Sequence, residues 1–529
     1  MGRLRFLRNN LAGAGLGIVV GLTFTLATTT GCGNPLRFPA APLAVTPGDG
    51  GASSAYDTDG DKQPDYFTTQ DASGRIVRIA YDLDRDGKPD SPVNLDEIAP
   101  ANARQVVLIL DGIGYETVEA FRREGHLRLF HPPARVISTF PAMTDLALAD
   151  VFQSVRCIGL ETVYFDHQAN QLTGSDNDYV SLKNEDWARR VDYRADVVID
   201  PLSYLFPNAM FNQELTDLLA CFDRRDRPRI VAYLVSTAGM GTRGSLAGQR
   251  KVLDTIDRLC EELVWKTRGL VKITILSDHG HSLVESKRTD FRAFLPTKGW
   301  RVVDRLEKPR DVACVEYGLV TYASFATRDR AALAADLITH PGVDVVAYDE
   351  GDAVVVVKGD AKARIERRGD RYRYRPESGD PLGLLPLVEK SRAAKAAPAP
   401  AGQAPATLDL DADGFASDRA WLAVTLTHDY PDPLDRLWRA FHGQSEHVPD
   451  VMASLRDGYC AGMASRAFWL PRIASTHGDL ERKSATAFIL STSGPVAEKW
   501  PLLRSRDLPT ILPELTGRPW PPARAGDGK

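Results

Sequence analysis

Apolar runs alternate with amphipathic segments along the middle of the chain. The runs at 105–111, 227–235 and 270–278 are typical of buried β-strands. The segments at 116–125 and 244–263 carry apolar residues at helical spacing and predict α-helices. Strands that alternate with helices favour a mostly parallel sheet sandwiched by helices, so we predict an α/β fold. Ligands are then expected at the carboxyl ends of the strands.

This alternation stops over residues 291–450, which we interpret as an insertion that caps the site. Strand-like segments there are followed by a low-complexity loop at 393–407, rich in Ala and Pro. The predicted core therefore consists of residues 103–290 and 451–515. Its last part predicts a strand with His477 in the exit loop, and then a second strand.

Two aspartate-rich loops of one spacing lie within residues 56–100. Carboxylates occupy loop positions 1, 3, 5 and 9 of each, as in calcium-binding loops: Asp57, Asp59, Asp61 and Asp65, then Asp82, Asp84, Asp86 and Asp90. Thr68 and Val93 replace the bidentate Glu of an EF-hand, so the loops resemble shorter aspartate-rich calcium repeats of extracellular proteins. We predict that they bind Ca²⁺; a solvated acidic linker is the alternative. A third, less regular cluster lies at 409–414.

The first residues, 1–32, have the pattern of an export signal: arginines, then an apolar Gly-rich stretch, then small residues before Cys32. The pattern resembles a bacterial lipoprotein signal, in which Cys32 would carry lipid and anchor the protein to a membrane. An uncleaved anchor is the alternative. A flexible tether over residues 33–55, rich in Pro, Gly, Ala and Ser, would follow. We expect an exported, lipid-anchored protein of the bacterial cell envelope, on the periplasmic or outer-membrane face.

The composition, net charge and cysteine spacing of the chain indicate which classes of partner and metal site are not expected. The chain of 529 residues is 43 % hydrophobic and 26 % charged, which suits a globular core. Its net charge of −5 gives no reason to expect nucleic acid as a partner. The six cysteines show no CxxC spacing, so a zinc–cysteine site is not expected.

Candidate site residues lie at predicted strand ends and at one helix start. They are Asp111, Thr144, Asp278, His279, His281 and His477. Thr144 precedes an apolar helical segment, and we predict that it is both the N-cap of that helix and a nucleophile held at its end. Ser138 and Thr139, in extended chain just upstream, are the alternative hydroxyl groups.

The segments VVLILDGIGYE, FPAMT, SDHGHS and STHG occur in this order. They resemble the alkaline phosphatase superfamily, in particular its type I phosphodiesterase/nucleotide pyrophosphatase branch. The resemblance implies an alkaline-phosphatase-like core in which Thr144 is the nucleophile. His281 or His477 could then hold substrate or move a proton. The residues that the resemblance assigns to metal ions, Zn²⁺ or Mn²⁺, are Asp111, Thr144, Asp278, His279 and His477.

The chain departs from that family at the second metal site. Ala238 and Thr242 stand where the family has an Asp and a His, so His477 is left as a single ligand there and one metal ion is expected. The same superfamily contains transferases that work mainly with one metal ion. We predict a metal-dependent hydrolase or phosphoryl-group transferase that acts on a phosphodiester or phosphomonoester of a small molecule or lipid. A catalytically inactive envelope protein that binds a ligand and is stabilised by calcium is the alternative.

Overall fold

The computed structural model describes residues 35–48, 50–181, 185–196, 200–224, 227–396, 407–470 and 472–523. The predicted export signal with Cys32 and most of the predicted loop at 393–407 lie outside the described residues. Within the described ranges, no helix is long and apolar enough to cross a membrane.

The helices are distributed along the whole described chain. In chain order they are α1 (Tyr115–Arg123), α2 (Thr144–Phe152), α3 (Asp176–Val180), α4 (Asp200–Leu205), α5 (Pro207–Asp223), α6 (Ser236–Lys266), α7 (Phe291–Thr297), α8 (Arg330–Leu337), α9 (Leu385–Ala396), α10 (Asp418–Thr425), α11 (Pro433–Phe441), α12 (Ala464–Trp469), α13 (Arg482–Ala485), α14 (Val496–Lys499) and α15 (Leu508–Thr516). Short 3₁₀ turns lie at Leu95–Glu97, Pro100–Asn102, Asp186–Arg190 and Ser505–Asp507.

A six-stranded sheet forms the predicted α/β core. Its strands are β6 (Arg104–Leu110), β7 (Ala134–Ile137), β10 (Arg229–Leu234), β11 (Val271–Ser277), β23 (Thr486–Ser491) and β24 (Leu503–Arg504), in the order β10-β6-β11-β23-β7-β24. Helices cover both faces, as predicted. Val106 and Leu108 of β6 pack with α5 and α6, whereas Val107 and Ile109 pack with α2 and α15, because successive side chains of a strand point to opposite faces.

The prediction of a mostly parallel sheet is wrong. Within this core, β23 runs antiparallel to both of its neighbours, β11 and β7. The predicted strand before His477 is also absent, since residues 474–481 form a loop that leads through α13 into β23. The chain therefore enters β23 at the edge of the sheet where β11 and β7 end, and β23 runs back across the sheet in the opposite direction.

A nine-stranded sheet occupies the predicted insertion and extends slightly beyond it. Its strands are β13 (Arg301–Val302), β14 (Asp311–Val315), β15 (Tyr322–Thr327), β16 (Val343–Asp349), β17 (Ala353–Lys358), β18 (Ala361–Arg368), β19 (Arg371–Ser378), β20 (Ala416–Ser417) and β21 (Val451–Leu455). All pairings except β13 with β14 are antiparallel. We call this sheet with α11 the nine-stranded unit, since Leu434 and Leu437 of α11 pack on Val354 and Val356 of β17.

A five-stranded antiparallel sheet precedes the core. Its strands are β1 (Ala44–Thr46), β2 (Ser53–Tyr56), β3 (Tyr66–Gln70), β4 (Ile76–Tyr81) and β5 (Asp90–Asn94). The predicted tether over 33–55 is therefore wrong for much of its length, because β1 pairs with β2 and Phe38 is buried against Tyr56 and Tyr66. Two short hairpin or bridge pairs complete the strands: β8 (Tyr164–Asp166) with β9 (Gln171–Thr173), and β12 (Lys287–Arg288) with β22 (Tyr459–Cys460).

Candidate active site

Two carboxylates meet at the carboxyl ends of the neighbouring parallel strands β6 and β11. Leu110 pairs with Ser277, so the next residue of each strand, Asp111 and Asp278, leaves the sheet at the same edge. Both side chains are almost completely buried, at 3 % and 0 % exposure. The sequence prediction that these two residues come together is consistent with this placement.

Each carboxylate keeps one buried oxygen without a hydrogen-bond donor. Asp278 Oδ1 accepts from the backbone N–H of Gly112 at 3.0 Å and of His279 at 2.9 Å, while its Oδ2 has no hydrogen bond of standard geometry. Asp111 Oδ2 accepts from the hydroxyl of Tyr233 at 2.5 Å, and its Oδ1 has no donor. Burial raises the pKa of both carboxyl groups. The charge of Asp278 adds to the rise at Asp111, and the nearby Thr144 hydroxyl group lowers the pKa of Asp278 in part against the effect of burial. Two such oxygens side by side favour a bound cation.

His279 completes this cluster with a neutral imidazole. Its Nδ1 lies 2.9 Å from Gly280 O, and a carbonyl only accepts, so the proton is on Nδ1 and Nε2 keeps a lone pair. Nε2 is 3.4 Å from Asp278 Oδ2 and 3.7 Å from Asp111 Oδ1. Burial lowers the pKa of His279 to about 4. One nitrogen and two oxygens therefore face a common point, and the three residues form a group whose ligand atoms all lie within 4.8 Å of one another.

Thr144 lies beside the same point, but it is not the N-cap of α2. Met143 occupies the N-cap position without a side-chain hydrogen bond, and Thr144 is the first helical residue. The prediction that Thr144 caps the helix is therefore wrong. Its Oγ1 instead lies 3.2 Å from His279 Nε2. The first backbone N–H groups of α2 lack intrahelical acceptors and give this end of the helix positive potential.

The two alternative hydroxyl groups are engaged elsewhere. Ser138 Oγ donates to Asp278 O at 2.7 Å, and Thr139 Oγ1 donates to Pro141 O at 2.8 Å. Both residues are 3 % exposed. Of the three hydroxyl groups, only that of Thr144 faces the carboxylate–histidine cluster.

His279, His477 and His281 form a stack of imidazole rings. The His477 ring lies 3.9 Å from that of His279 and 5.3 Å from that of His281. His477 Nδ1 donates to Ala142 O at 2.8 Å, so its Nε2 is an acceptor. His281 Nδ1 is 3.2 Å from Ser475 Oγ, and its buried Nε2 has no partner. Burial lowers the pKa of each ring, that of His477 to about 3.

The stack lies apart from the three-residue ligand group. Neither His477 nor His281 belongs to a group of three or more ligand atoms among the described residues. Ala238 and Thr242 are buried near the start of α6 and supply no carboxylate or imidazole there. The His281 ring lies against Gly241 instead, where an added Cβ would approach it to 3.1 Å. The His281 ring thus occupies the side of the site next to α6.

Two supporting residues were missed by sequence reasoning. Tyr233 sits in the apolar run of β10 and donates to Asp111, and Gln249 Nε2 donates to Gly112 O at 2.8 Å. A tyrosine in a buried strand is ordinary core material, so no pattern set Tyr233 apart. Gln249 on the apolar face of α6 is a polar residue with 0 % exposure, and that pattern could have indicated it.

The predicted calcium loops connect β2 with β3 and β4 with β5, and they are joined where Asp82 N donates to Asp65 O at 3.0 Å. Their ligand atoms come within 4.8 Å of one another in two groups, Asp57, Asp59 and Asp61, and Asp82, Asp84 and Asp86. The carboxylates at position 9 lie outside these groups and bind backbone: Asp65 accepts from Thr58 N and Asp90 from Leu83 N, both at 2.8 Å.

The third aspartate cluster differs from these loops, because arginines neutralise it. Arg368 pairs with Asp411 and Asp413, and Arg371 pairs with Asp409 at 3.2 Å. Arginine side chains therefore take the place at this cluster that a bound cation would occupy.

No protein-family model matches the chain, and no curated protein matches it. Solved structures with a similar fold include murine ectonucleotide pyrophosphatase/phosphodiesterase 5, 11 % identical over 80 % of this chain and 97 % of that chain, with a TM-score of 0.40. The human protein of the same name is 10 % identical over 80 % of this chain and 97 % of that chain, with a TM-score of 0.40. Phosphonoacetate hydrolase from Sinorhizobium meliloti 1021, in complex with phosphonoformate, is 12 % identical over 80 % of this chain and 96 % of that chain, with a TM-score of 0.39. At these values the likeness assigns neither a family nor an activity to this chain.

Proposed function

We propose that this chain is a metal-dependent phosphoester hydrolase or phosphoryl-group transferase with Thr144 as its nucleophile. The observation that carries the proposal is the pair of buried, donorless oxygens, Asp111 Oδ1 and Asp278 Oδ2, which face His279 Nε2. Buried polar atoms normally have partners, so three such atoms around one point favour an ion between them.

The donor set suits a single Zn²⁺ or Mn²⁺ ion. Asp111, Asp278 and His279 would hold the ion, with Thr144 Oγ1 as a further oxygen ligand. A bound ion of this kind supplies charge stabilisation to a phosphoryl oxygen and makes a hydroxyl group more acidic. The three stacked histidines and the missing ligands at Ala238 and Thr242 favour one ion rather than two. The role of His477 as a ligand stays a prediction.

Thr144 is placed for attack on phosphorus. Its Oγ would form a bond to phosphorus while the bond from phosphorus to the leaving oxygen breaks, and the first N–H groups of α2 would bind the phosphoryl oxygens. Water or an alcohol would then displace Thr144 and restore its hydroxyl group. His477 Nε2 is an acceptor beside His279 and could take a proton in either half of the reaction.

A binding protein without catalytic activity is the second candidate. The two aspartate-rich loops favour it, since six of their carboxylates come together in two groups beside the core. We propose that each loop binds Ca²⁺, whose hard oxygen ligands these loops supply. Export, lipid attachment at Cys32 and a location in the cell envelope are proposed from the sequence alone, as is a small-molecule or lipid phosphate ester as substrate.

Metal content and turnover of the purified protein decide between the candidates. After a wash with a chelator that removes calcium but spares zinc, elemental mass spectrometry should find about one transition-metal ion per chain, as one ligand group predicts. Asp278→Ala should lose that ion. Hydrolysis of nitrophenyl mono- and diesters should be detectable and should vanish in Thr144→Ala. If the purified protein keeps no transition metal and cleaves no phosphoester, the proposal that it is an enzyme is contradicted.

A further inference from the structure

We propose that Arg436, on α11 of the nine-stranded unit, is a positioning residue that fixes two loops relative to each other. One is the loop at 138–143, which leads into α2 at Thr144, and the other is the loop at 474–481, which carries His477. Arg436 is 297 residues away from Thr139 in the chain, yet it hydrogen-bonds that residue's carbonyl. The catalytic consequence of this role rests on the proposed function, whereas the structural consequence can be measured without any activity.

Every N–H of the Arg436 guanidinium has a main-chain acceptor. Nε and Nη2 donate to Thr139 O at 3.2 and 3.0 Å. Nη1 donates to Leu480 O at 2.9 Å and to Pro431 O at 3.3 Å, and Nη2 also reaches Asp479 O at 3.4 Å. A guanidinium has five N–H donors in a fixed plane, so one rigid group fixes the carbonyls of three segments.

Two of those segments carry residues of the candidate site. Thr139 lies in the loop that leads into α2 at Thr144, and Asp479 and Leu480 follow His477. The loops also bond to each other, since Ala142 N donates to Gly478 O at 3.3 Å and His477 Nδ1 donates to Ala142 O at 2.8 Å. Arg436 adds a second link between the two loops, at Thr139 and at Asp479 and Leu480.

A neighbouring arginine shows how unusual these partners are. Arg439, on the same helix, forms a bidentate ion pair with Asp150 at 2.7 and 2.8 Å. Arg436 is 2 % exposed and hydrogen-bonds no carboxylate among the described residues. Burial lowers its pKa to about 10, against the charges of Asp432 and Asp479, so the group stays protonated at neutral pH. A buried cation without a hydrogen-bonded counter-ion lowers the stability of the fold. We infer that Arg436 is retained because it fixes the two loops relative to each other.

The arrangement gives the nine-stranded unit a part in the site. Leu434 and Leu437 of α11 are fully buried in the core of that unit, so the position of Arg436 is set by its packing. The nucleophile loop is therefore held from two sides: by the six-stranded sheet, through Ser138 and Asp278, and by the nine-stranded unit, through Arg436 and Thr139.

Two variants and a matched control test this role. Arg436→Met removes all five donors, and Arg436→Lys keeps the charge but supplies three donors instead of five and lacks the rigid planar fork. Arg439→Lys is the control, because it alters a partly buried arginine of the same helix, and its carboxylate partner Asp150 can also pair with a lysine. The measurements on the full-length protein are amide hydrogen exchange over residues 138–147 and 474–481, and kcat and KM for bis(p-nitrophenyl) phosphate.

Both Arg436 variants should speed exchange in the two loops by at least about tenfold and leave the other strands protected. They should lower kcat by about 100-fold with little change in KM, since misplacement of a nucleophile affects the transition state more than binding. The control should leave exchange in both loops and kcat near their wild-type values.

Three results would overturn the proposal: loops that exchange at the wild-type rate in Arg436→Lys, a rise in exchange that is uniform over the chain, or equal effects in the control. If Arg436→Met does not fold, Arg436→Lys decides alone. If the wild-type protein cleaves no phosphoester, the proposed function fails, and the exchange data still decide whether Arg436 orders the two loops.

Discussion

Tyr233→Phe should weaken metal binding at the candidate site without unfolding the protein. The Tyr233 hydroxyl donates to Asp111 Oδ2 at 2.5 Å, and that bond directs the other oxygen, Oδ1, toward His279 Nε2, 3.7 Å away. Phenylalanine keeps the ring and its packing against Trp187, where the ring centroids lie 5.0 Å apart. The substitution therefore removes one hydrogen bond and little else.

The expected loss follows from the charge and burial of the acceptor. A hydrogen bond to a charged group contributes about 1.5–3 kcal/mol, and its loss leaves a second oxygen of Asp111 without a donor. At about 1.4 kcal/mol for each factor of ten, the affinity for Zn²⁺ should fall by about 10- to 100-fold. The same range is typical when a residue that orients a metal ligand is lost.

Competition with a zinc chelator of known affinity measures this change directly. Tyr193→Phe is the matched control, because Tyr193 lies next to β10 and its hydroxyl makes no hydrogen bond to any described residue. The control should bind Zn²⁺ as the wild type does. A Tyr233→Phe affinity within about threefold of the wild type would refute the claim that Asp111 is a ligand oriented by Tyr233.

Three further predictions test separate parts of the molecule. Thr144→Ala should lower phosphoester turnover by at least about 10³-fold while Zn²⁺ remains bound; residual turnover near the wild-type rate would exclude Thr144 as nucleophile. Calcium at about 100 times its dissociation constant should stabilise the fold by about 2.7 kcal/mol and raise Tm, less so in Asp84→Asn than in Asp413→Asn, whose carboxylate pairs with an arginine; equal shifts would contradict the loop assignment. Arg504→Met should cost about 3–5 kcal/mol in urea unfolding, because Asp432 is buried and loses its ion pair; a loss below about 1 kcal/mol would contradict that reasoning.

The residues of the site that could be predicted from the sequence are those that directly follow predicted strands. Asp111 and Asp278 each follow a mostly apolar strand segment, and parallel neighbours end at one edge of a sheet, so their meeting follows from pattern and geometry alone. His279 comes with Asp278 as the next residue. Thr144 was placed correctly at the start of α2, but its hydroxyl faces His279 rather than the helix backbone, since the helix begins one residue earlier than a capping Thr requires.

Strand direction could not be predicted in the same way. The apolar pattern of β23 is the same for a parallel and an antiparallel strand, because burial on both faces removes the alternation that would distinguish them. Its direction is set by the loop at 474–481, which returns to the site edge before the strand begins. The nine-stranded sheet was missed as a unit for a related reason, since antiparallel pairing joins strands through contacts that a local pattern does not contain.

Long-range polar contacts explain why the insertion cannot be treated as a separable cap. A cap that only covers a site would contact it through side chains at its rim, and removal would leave the nucleophile loop intact. Here a buried arginine of the nine-stranded unit bonds the main chain of Thr139 and of Leu480, and no property of Arg436 in the sequence distinguishes it from Arg439, which forms an ordinary ion pair. The six-stranded sheet brings the ligands together, and the geometry of the loops that carry Thr144 and His477 depends on both sheets at once.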